Sequence, residues 1–387
     1  MTRYHYDFFG DLLVEVVGQD GRTDVQFRKM FDHYRVRSPD REPDMVIRET
    51  TDEVDPDVVL GDPNDYYGWT GEKFVVYSND YMAVEPGWNH IDVTPGFEPF
   101  YLIYPMELKI RQAKVERQQA LIHASGVSLD GQTTLFPAWR GGGKTNTLLS
   151  LLREGAGFLS DDRLWVGADG SALGYPLGVN LGPYNIGSFP EIEVEHDTTE
   201  DRIRHEAHEF IDKQVEKGAS LPETAISFLN DTLLGSSNRD FTDVTSVYPG
   251  ADFVEESTVD NVVFLQAAPD ADNISVEQIT TEEAMSGVTA ICNFEWDGRL
   301  REYFHAYDAL VEGGDMVETL DQVVQKERSV FRELFDDVRV YRARVPRKAD
   351  WGEAGLDAAM VDMVSSFGDR DDTNDELTRR QASASSD

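Results

Sequence analysis

Eight consecutive residues have the types and spacing of a phosphate-binding loop, and they read Ala138-Trp139-Arg140-Gly141-Gly142-Gly143-Lys144-Thr145. The pattern is Gly or Ala, four free positions, then Gly-Lys followed by Ser or Thr. Glycines with no side-chain bulk let backbone N–H groups turn inward around phosphates, and the N-terminus of the following helix adds partial positive charge. The pattern predicts that Lys144 reaches the terminal phosphates of a nucleotide and that the Thr145 hydroxyl ligates Mg²⁺.

A glycine turn ahead of an ordinary helix is the alternative explanation of this loop. The strand-like run Thr133–Phe136 before it and the amphipathic run Thr147–Leu152 after it favour phosphate binding. Ala138 in place of glycine and the bulky Trp139 depart from the usual loop. Arg140 departs too, although its charge would lie beside the expected phosphates.

Two adjacent carboxylates follow the next expected strand, Gly157–Ser160. Asp161 and Asp162 lie just after this strand, 17 and 18 residues beyond Lys144. Ligands of open α/β sheets bind at the carboxyl edge of the strands, which would bring the pair next to the loop. One Asp could hold Mg²⁺ while the other accepts the proton of an attacking hydroxyl. Adjacent carboxylates are common in an acidic chain, so their position after this strand is what makes them candidates.

Histidine and cysteine give weaker signals. His123 ends the apolar run Ala120–Ile122, where a histidine is more often a packed core residue than a catalytic one. His205 and His208 are three residues apart, whereas the zinc peptidase motif needs four, so we interpret them as part of a solvated helix face. Cys292 is the single cysteine, which excludes an intrachain disulfide and fits a reducing cytosol.

The pattern of expected elements divides the chain into three parts. Residues 1–110 show a small α+β pattern of unknown role, and residues 111–346 alternate strands with helices, which predicts an α/β domain with a mixed or partly parallel sheet. Phe158–Val166 is expected to be one extended segment. Thr280–Glu283 forms a capping box at a helix start. Residues 347–387 form a C-terminal extension, expected to be disordered from about residue 366 because apolar residues almost vanish there.

Charge is the dominant bulk property. The chain has 73 acidic and 35 basic side chains, a formal net charge of −38, and nine lysines. An acidic, lysine-poor surface is typical of a protein that functions in molar salt, although a merely acidic mesophilic protein is the alternative. The charge opposes binding to nucleic acid. No apolar run approaches a membrane span, and the polar N-terminus lacks a signal peptide, so we expect a cytoplasmic protein without membrane contact.

Three segments in order resemble the catalytic domain of HPr kinase/phosphorylase, and more closely the HPr-kinase-like proteins of unassigned substrate. They are His123–Val127, the glycine loop and Phe158–Arg163. The resemblance is clear over Leu121–Leu181 and compatible as far as Val345. It implies a P-loop in a mixed sheet, a fold akin to that of phosphoenolpyruvate carboxykinase, and a possible homo-oligomer.

The resemblance also implies an activity and residue roles. The implied reaction moves the γ-phosphate of Mg²⁺–ATP to a hydroxyl of a protein serine or small molecule. Lys144 and Thr145 would bind phosphate and Mg²⁺, Asp161 would be the general base, His123 would orient or tune it, and Asp162 would belong to the metal side. Which aspartate has which role stays open at this point.

Two departures separate the chain from the enzymes of that family. They carry a Glu-x-Arg-Gly segment whose Arg engages phosphate, whereas the corresponding stretch Gly174–Tyr184 has no arginine. A basic, glycine-rich segment near the C-terminus is also missing. HPr itself is therefore not the expected substrate. Two hypotheses remain: a kinase acting on a hydroxyl, and a nucleotide-binding sensor or scaffold with weak catalysis.

Overall fold

The computed structural model describes residues 2–52, 54–97, 99–181, 183–192, 241–348 and 350–367. The protein is a mixed α/β protein made of two compact units. The first unit comprises residues 1–123, 163–176 and 279–340, and the second comprises 124–162, 177–278 and 341–387. The sequence suggested contiguous parts divided near residue 110, but the two units take alternate segments of the chain. Among the described residues, no helix combines the length and apolar character that crossing a membrane requires.

A nine-stranded mixed sheet dominates the first unit. Its spatial order is β3-β1-β2-β4-β9-β8-β7-β6-β5. The β2–β4 and β4–β9 pairs are parallel and the other pairs are antiparallel. The strands are β1 Thr2–Phe8, β2 Leu12–Gly18, β3 Arg35–Val36, β4 Met45–Glu49, β5 Val58–Asp62, β6 Asp65–Trp69, β7 Phe74–Ser78, β8 Asp80–Val84 and β9 His90–Val93.

Three further antiparallel strands and five α-helices complete the first unit. The strands are β10 Gln119–Ile122, β14 Leu164–Gly167 and β15 Ser171–Leu173. The helices are α1 Arg22–Met30, α2 Phe100–Val115, α6 Thr281–Cys292, α7 Gly298–Leu310 and α8 Met316–Asp337. A 3₁₀ turn covers Asp32–Tyr34, and a π-helical segment, Asn293–Asp297, joins α6 to α7.

The second unit contains a mixed sheet with the spatial order β13-β11-β12-β18-β20-β19. β12 is parallel to β18, and β11 is antiparallel to both β12 and β13. β12 and β13 therefore run in the same direction with β11 between them. The strands are β11 Ala124–Leu129, β12 Gln132–Pro137, β13 Gly157–Ser160, β18 Glu256–Ala268, β19 Ser275–Gln278 and β20 Arg339–Pro346. The mixed sheet that the sequence predicts is confirmed.

Helices cover this sheet, and the C-terminal segment belongs to the core. α3 Lys144–Arg153 buries Leu148, Leu149, Leu151 and Leu152. The short helices are α4 Pro183–Ser188 and α5 Val244–Val247, and the small strands β16 Val179–Asn180 and β17 Phe241–Thr242 pair with each other. Helix α9 spans 356–367. Leu356 and Met360 of α9 pack in the same cluster as Leu148 and Leu152, so residues 350–367 are part of the unit.

Two expectations fall on residues outside the described ranges. His205 and His208, interpreted as part of a solvated helix face, lie there. The disorder expected from about residue 366 also concerns mainly residues beyond 367.

Candidate functional site

The loop begins where β12 ends. Ala138 is fully buried and forms a parallel bridge with Leu265 of β18, which fixes the start of the loop at the sheet edge. The Gly142 N–H donates to the Trp139 carbonyl at 2.9 Å and closes a tight turn. A phosphate-binding loop requires such a compact turn directly after a buried strand.

The three glycines of the loop meet two steric requirements. Gly141 and Gly143 have φ of 73° and 96°, in the left-handed region that disfavours other residues. A Cβ on Gly142 would lie 2.9 Å from the Ala138 Cβ and from the Trp139 carbonyl oxygen. The run Gly141–Gly143 is therefore required by this loop conformation.

Helix α3 starts at the loop lysine. Its N-cap is Gly143, which has no side chain to accept hydrogen bonds from the first-turn N–H groups. The Lys144 ammonium donates to the Ala138 carbonyl at 2.8 Å, across the base of the loop. The loop thus combines an uncapped helix N-terminus with a lysine, both of which attract an anion.

The aspartate pair follows β13 at the same edge. Because β12 and β13 run in the same direction, their carboxyl ends meet there. The Thr145 hydroxyl donates to Oδ2 of Asp161 at 3.2 Å. Asp161 is 4% exposed, whereas Asp162 is half-buried. The structure brings together a hydroxyl and a carboxylate that are 16 residues apart in sequence.

Two side chains from distant segments support the loop. A Cβ on Gly143 would lie 3.0 Å from the Trp351 ring, which is buried beneath the loop. The Trp351 N–H donates to the Ser188 hydroxyl at 3.1 Å. The buried Asn185 amide donates to the side-chain oxygen of Asn146 at 2.6 Å. No motif or spacing rule points to Trp351, Ser188 or Asn185, so sequence reasoning missed them.

The two bulky loop residues face outward. Trp139 is 43% exposed and Arg140 is exposed. Their size is therefore accommodated outside the turn, while Gly141–Gly143 form its tight part. Arg140 places a guanidinium on the outer side of the loop, within the same unit as the aspartates.

His123 belongs to the first unit, where it lines a cavity of about 20 Å³ together with Arg111, Arg163, Cys292 and Trp296. The Arg163 guanidinium lies over the Trp296 ring at 4.2 Å and donates to Glu107 at 2.6 Å. Burial raises the pKa of the Cys292 thiol to about 12, so it is not a thiolate near neutral pH. The role expected for His123 beside Asp161 stays a prediction.

The residues of the site suit a phosphate-bound metal ion. In the ranges that the structure covers, no three His, Cys, Asp or Glu side chains form a group able to hold a metal. Mg²⁺ is usually held by one or two protein oxygens together with substrate phosphates and water. Thr145 and Asp161 supply two such oxygens, so the donor set fits Mg²⁺ that arrives with a nucleotide.

Two comparisons with known proteins complete the description: no family model matches the chain, and no curated protein matches it significantly.

Proposed function

We propose that the second unit binds Mg²⁺–ATP on the loop Ala138–Thr145 and transfers its γ-phosphate to a hydroxyl. The observation that carries this proposal is the Thr145–Asp161 hydrogen bond. In P-loop proteins a Ser or Thr of the loop and an Asp that follows a nearby strand share the magnesium ion. A glycine turn before an ordinary helix gives no reason for a buried carboxylate to lie against its second helical residue.

The loop supplies the binding groups for the phosphates. The N–H groups of the loop and of the first turn of α3 would surround the β- and γ-phosphates. Lys144 would exchange the Ala138 carbonyl for phosphate oxygens, a move that its flexible side chain permits. Thr145 and Asp161 would hold the magnesium ion that accompanies the nucleotide, and the ion would supply positive charge that offsets the charge of the phosphates.

The contacts favour one assignment of the two aspartates. Asp161 is buried and accepts a hydrogen bond from Thr145, the expected metal ligand. This contact favours Asp161 as the second magnesium ligand. Asp162 is more accessible and would receive the proton of an incoming hydroxyl. The hydroxyl oxygen then bonds to the γ-phosphorus, the bond from phosphorus to the β–γ bridging oxygen breaks, and ADP leaves. This reverses the order that the resemblance implies.

The acceptor would be a protein serine or a small molecule, as the resemblance to HPr-kinase-like proteins implies. The β12–loop–α3–β13–Asp-Asp order and the mixed sheet support a fold of the HPr kinase and phosphoenolpyruvate carboxykinase type. The chain's large negative charge disfavours an acidic acceptor surface.

A second candidate function is a nucleotide-binding sensor or scaffold with weak transfer. The stretch that lacks the family's arginine leads into α4, where Asn185 contacts Asn146 beside Thr145. A neutral amide there supplies no positive charge for the transferring phosphoryl group. Besides Lys144, the loop contains one other cationic residue, Arg140, which would have to compensate. Acceptor-dependent formation of ADP separates the two functions.

The first test is calorimetric binding of Mg²⁺–ATP in molar KCl. We expect wild-type protein to bind and Lys144→Ala to lose about tenfold or more in affinity, because the variant lacks the ammonium that contacts phosphate. Lys29→Ala is the matched control, since it removes the same charge from an exposed position of α1. Absence of binding by folded wild-type protein would refute the proposal, and so would equal binding by Lys144→Ala.

A further inference from the structure

A cavity of about 390 Å³ lies within the second unit. One wall is the turn before β19 and β19 itself, with Asn273 and Val276. The other is β20 and α9, with Tyr341, Ala359 and Met363. This volume falls within the range of small-molecule sites. None of the functions considered above uses it.

Both walls of the cavity are connected to the phosphate loop through short stretches of chain. Leu265 of β18 bridges to Ala138, and the lining residue Asp272 follows it by seven residues. Trp351 packs against Gly143, and the lining residue Ala354 follows it by three residues. Two residues of the cavity lining, Asp272 and Ala354, are therefore close along the chain to residues that contact the loop.

The order of the strands shows where the loop, Asp161 and the cavity lie along the sheet. In β13-β11-β12-β18-β20-β19, Asp161 follows the strand at one end and the cavity lies against the strand at the other. Three interstrand steps separate β12 from β19, or about 14 Å at about 4.8 Å each. An extended nucleoside triphosphate spans a similar distance between its terminal phosphate and its base.

The lining suits an uncharged, planar group. Tyr341 stacks on Phe367 with ring centroids 4.6 Å apart and planes at 13°, and Met363 lies beside them. Asn273, Gln278 and Ser366 offer hydrogen-bond donors and acceptors for the edge of a base. No Lys, Arg or His lines the cavity among the residues that the structure describes, and Asp272 would repel phosphate. Its carboxylate can instead accept hydrogen bonds from ribose hydroxyls.

We propose that this cavity binds the nucleoside part, base and ribose, of the triphosphate whose phosphates lie on the loop. The inference rests on the proposed function, because it assumes phosphates at Ala138–Thr145. It places the nucleoside on the β19 side of the loop and leaves the Asp161 side for the phosphate acceptor.

The test compares Mg²⁺–ATP with Mg²⁺–tripolyphosphate by calorimetry in molar KCl. The variants are Ala359→Phe, which fills the cavity, and Ala358→Phe, the exposed neighbour on the same helix that does not line it. We expect Ala359→Phe to bind ATP about tenfold more weakly with unchanged affinity for tripolyphosphate. Ala358→Phe should match wild type with both ligands. Ala354→Phe is a second variant that fills the cavity. Ala354 is exposed, so this change does not alter packing in the core.

The outcomes separate the two proposals. If wild-type protein binds tripolyphosphate as tightly as ATP, or if both filled variants bind ATP normally, the nucleoside assignment is wrong while the loop assignment stands. If both filled variants lose affinity equally for ATP and tripolyphosphate, filling the cavity disturbs the loop, and the cavity does not hold the nucleoside. If folded wild-type protein binds neither ligand, the proposed function itself fails.

Discussion

At the scale of single residues, the proposed magnesium site depends on which oxygen atoms are available to hold the ion. Thr145 and Asp161 are already joined by a hydrogen bond, so one proton connects the two expected metal-side groups. Both groups would hold the proposed magnesium ion, and the hydroxyl proton already points to the Asp161 carboxylate. Asp162 lies one residue further along the chain and is half-buried. The two aspartates should therefore respond differently to the same substitution.

Asp161→Asn and Asp162→Asn test this difference. We expect Asp161→Asn to weaken Mg²⁺-dependent ATP binding about tenfold, because a neutral amide is a poorer partner for the ion. Asp162→Asn should bind ATP normally and lower acceptor-dependent ADP formation about a hundredfold or more, since proton transfer typically contributes that much. Binding is measured by calorimetry and turnover by ADP release. The reverse pattern would restore Asp161 as the base.

Residue patterns predicted one part of the site and missed another. The loop motif and the strand before Asp161 were sufficient to predict the proximity of Thr145 and Asp161, because parallel strands end at the same edge. Trp351 could not be found, since it reaches Gly143 through packing across some 200 residues and packing leaves no spacing signature. Sequence also gave no means of choosing between the aspartates, which differ in burial.

At the scale of elements, local signals predicted helices and strands well where capping and periodicity were strong. The capping box at Thr280 is present, and the Thr280 N–H donates to the Glu283 carboxylate at 3.1 Å. The expected extended segment Phe158–Val166 is wrong as a single element. The chain breaks after Ser160, and β14 begins at Leu164 in the other unit. The charged residues Asp161–Arg163 separate the two apolar halves, and the break falls at these residues.

A buried ion cluster joins three elements of the first unit. Arg111 of α2 donates to Glu327 of α8 through two nitrogens, at 2.9 and 2.6 Å, and to Asp297 of the π-helical segment at 2.7 Å. The exposed fractions of these side chains are between 3% and 7%. Burial raises the pKa of Glu327, and Arg111 opposes that rise.

Arg111→Met should destabilise the protein by about 3–5 kcal/mol near pH 8, because it leaves two buried carboxylates without a counter-charge. Without Arg111 the pKa of Glu327 in the folded state rises further. The Glu327 carboxyl then binds a proton more tightly in the folded protein than in the unfolded chain. The loss of stability caused by Arg111→Met should therefore become smaller as the pH falls toward 5. Urea unfolding at both pH values measures this.

Arg332→Met is the matched control for this prediction. Arg332 of α8 pairs with Glu282 at 3.4 Å, and both side chains are exposed, at 53% and 75%. The same change there should cost about 1 kcal/mol or less, since solvent screens exposed pairs. Equal losses at the two sites, or a loss at Arg111 that does not depend on pH, would contradict the role assigned to the buried cluster.

At the scale of the whole molecule, net charge sets the conditions for folding. A formal charge of −38 makes the compact state repel itself unless counter-ions screen it. We expect the midpoint of thermal unfolding to rise by roughly 5 °C or more when KCl increases from about 0.1 M to about 3 M, because the Debye length shrinks to a few ångströms. Sucrose at matched water activity is the control. A midpoint temperature of unfolding that does not change with the KCl concentration would exclude adaptation to high salt.

The division into units was beyond prediction from sequence. The change to alternating strands and helices near residue 110 suggested a boundary, but the segments 279–340 and 1–123 belong to one unit because they pack together. The Arg111–Glu327 contact, which spans 216 residues, is one such link. Only tertiary contacts of this kind reveal which distant segments share a core.

The alternate use of chain segments has a consequence for biosynthesis. The chain crosses from one unit to the other five times, so neither unit is a continuous stretch. A nascent chain of residues 1–278 contains Arg111 but lacks both of its partners, Asp297 and Glu327. Neither unit can therefore be completed as one continuous stretch leaves the ribosome, and contacts of such large sequence separation form slowly. The first unit is complete only after residue 340 has been made, and the second unit only after the segment that begins at residue 341 has been added.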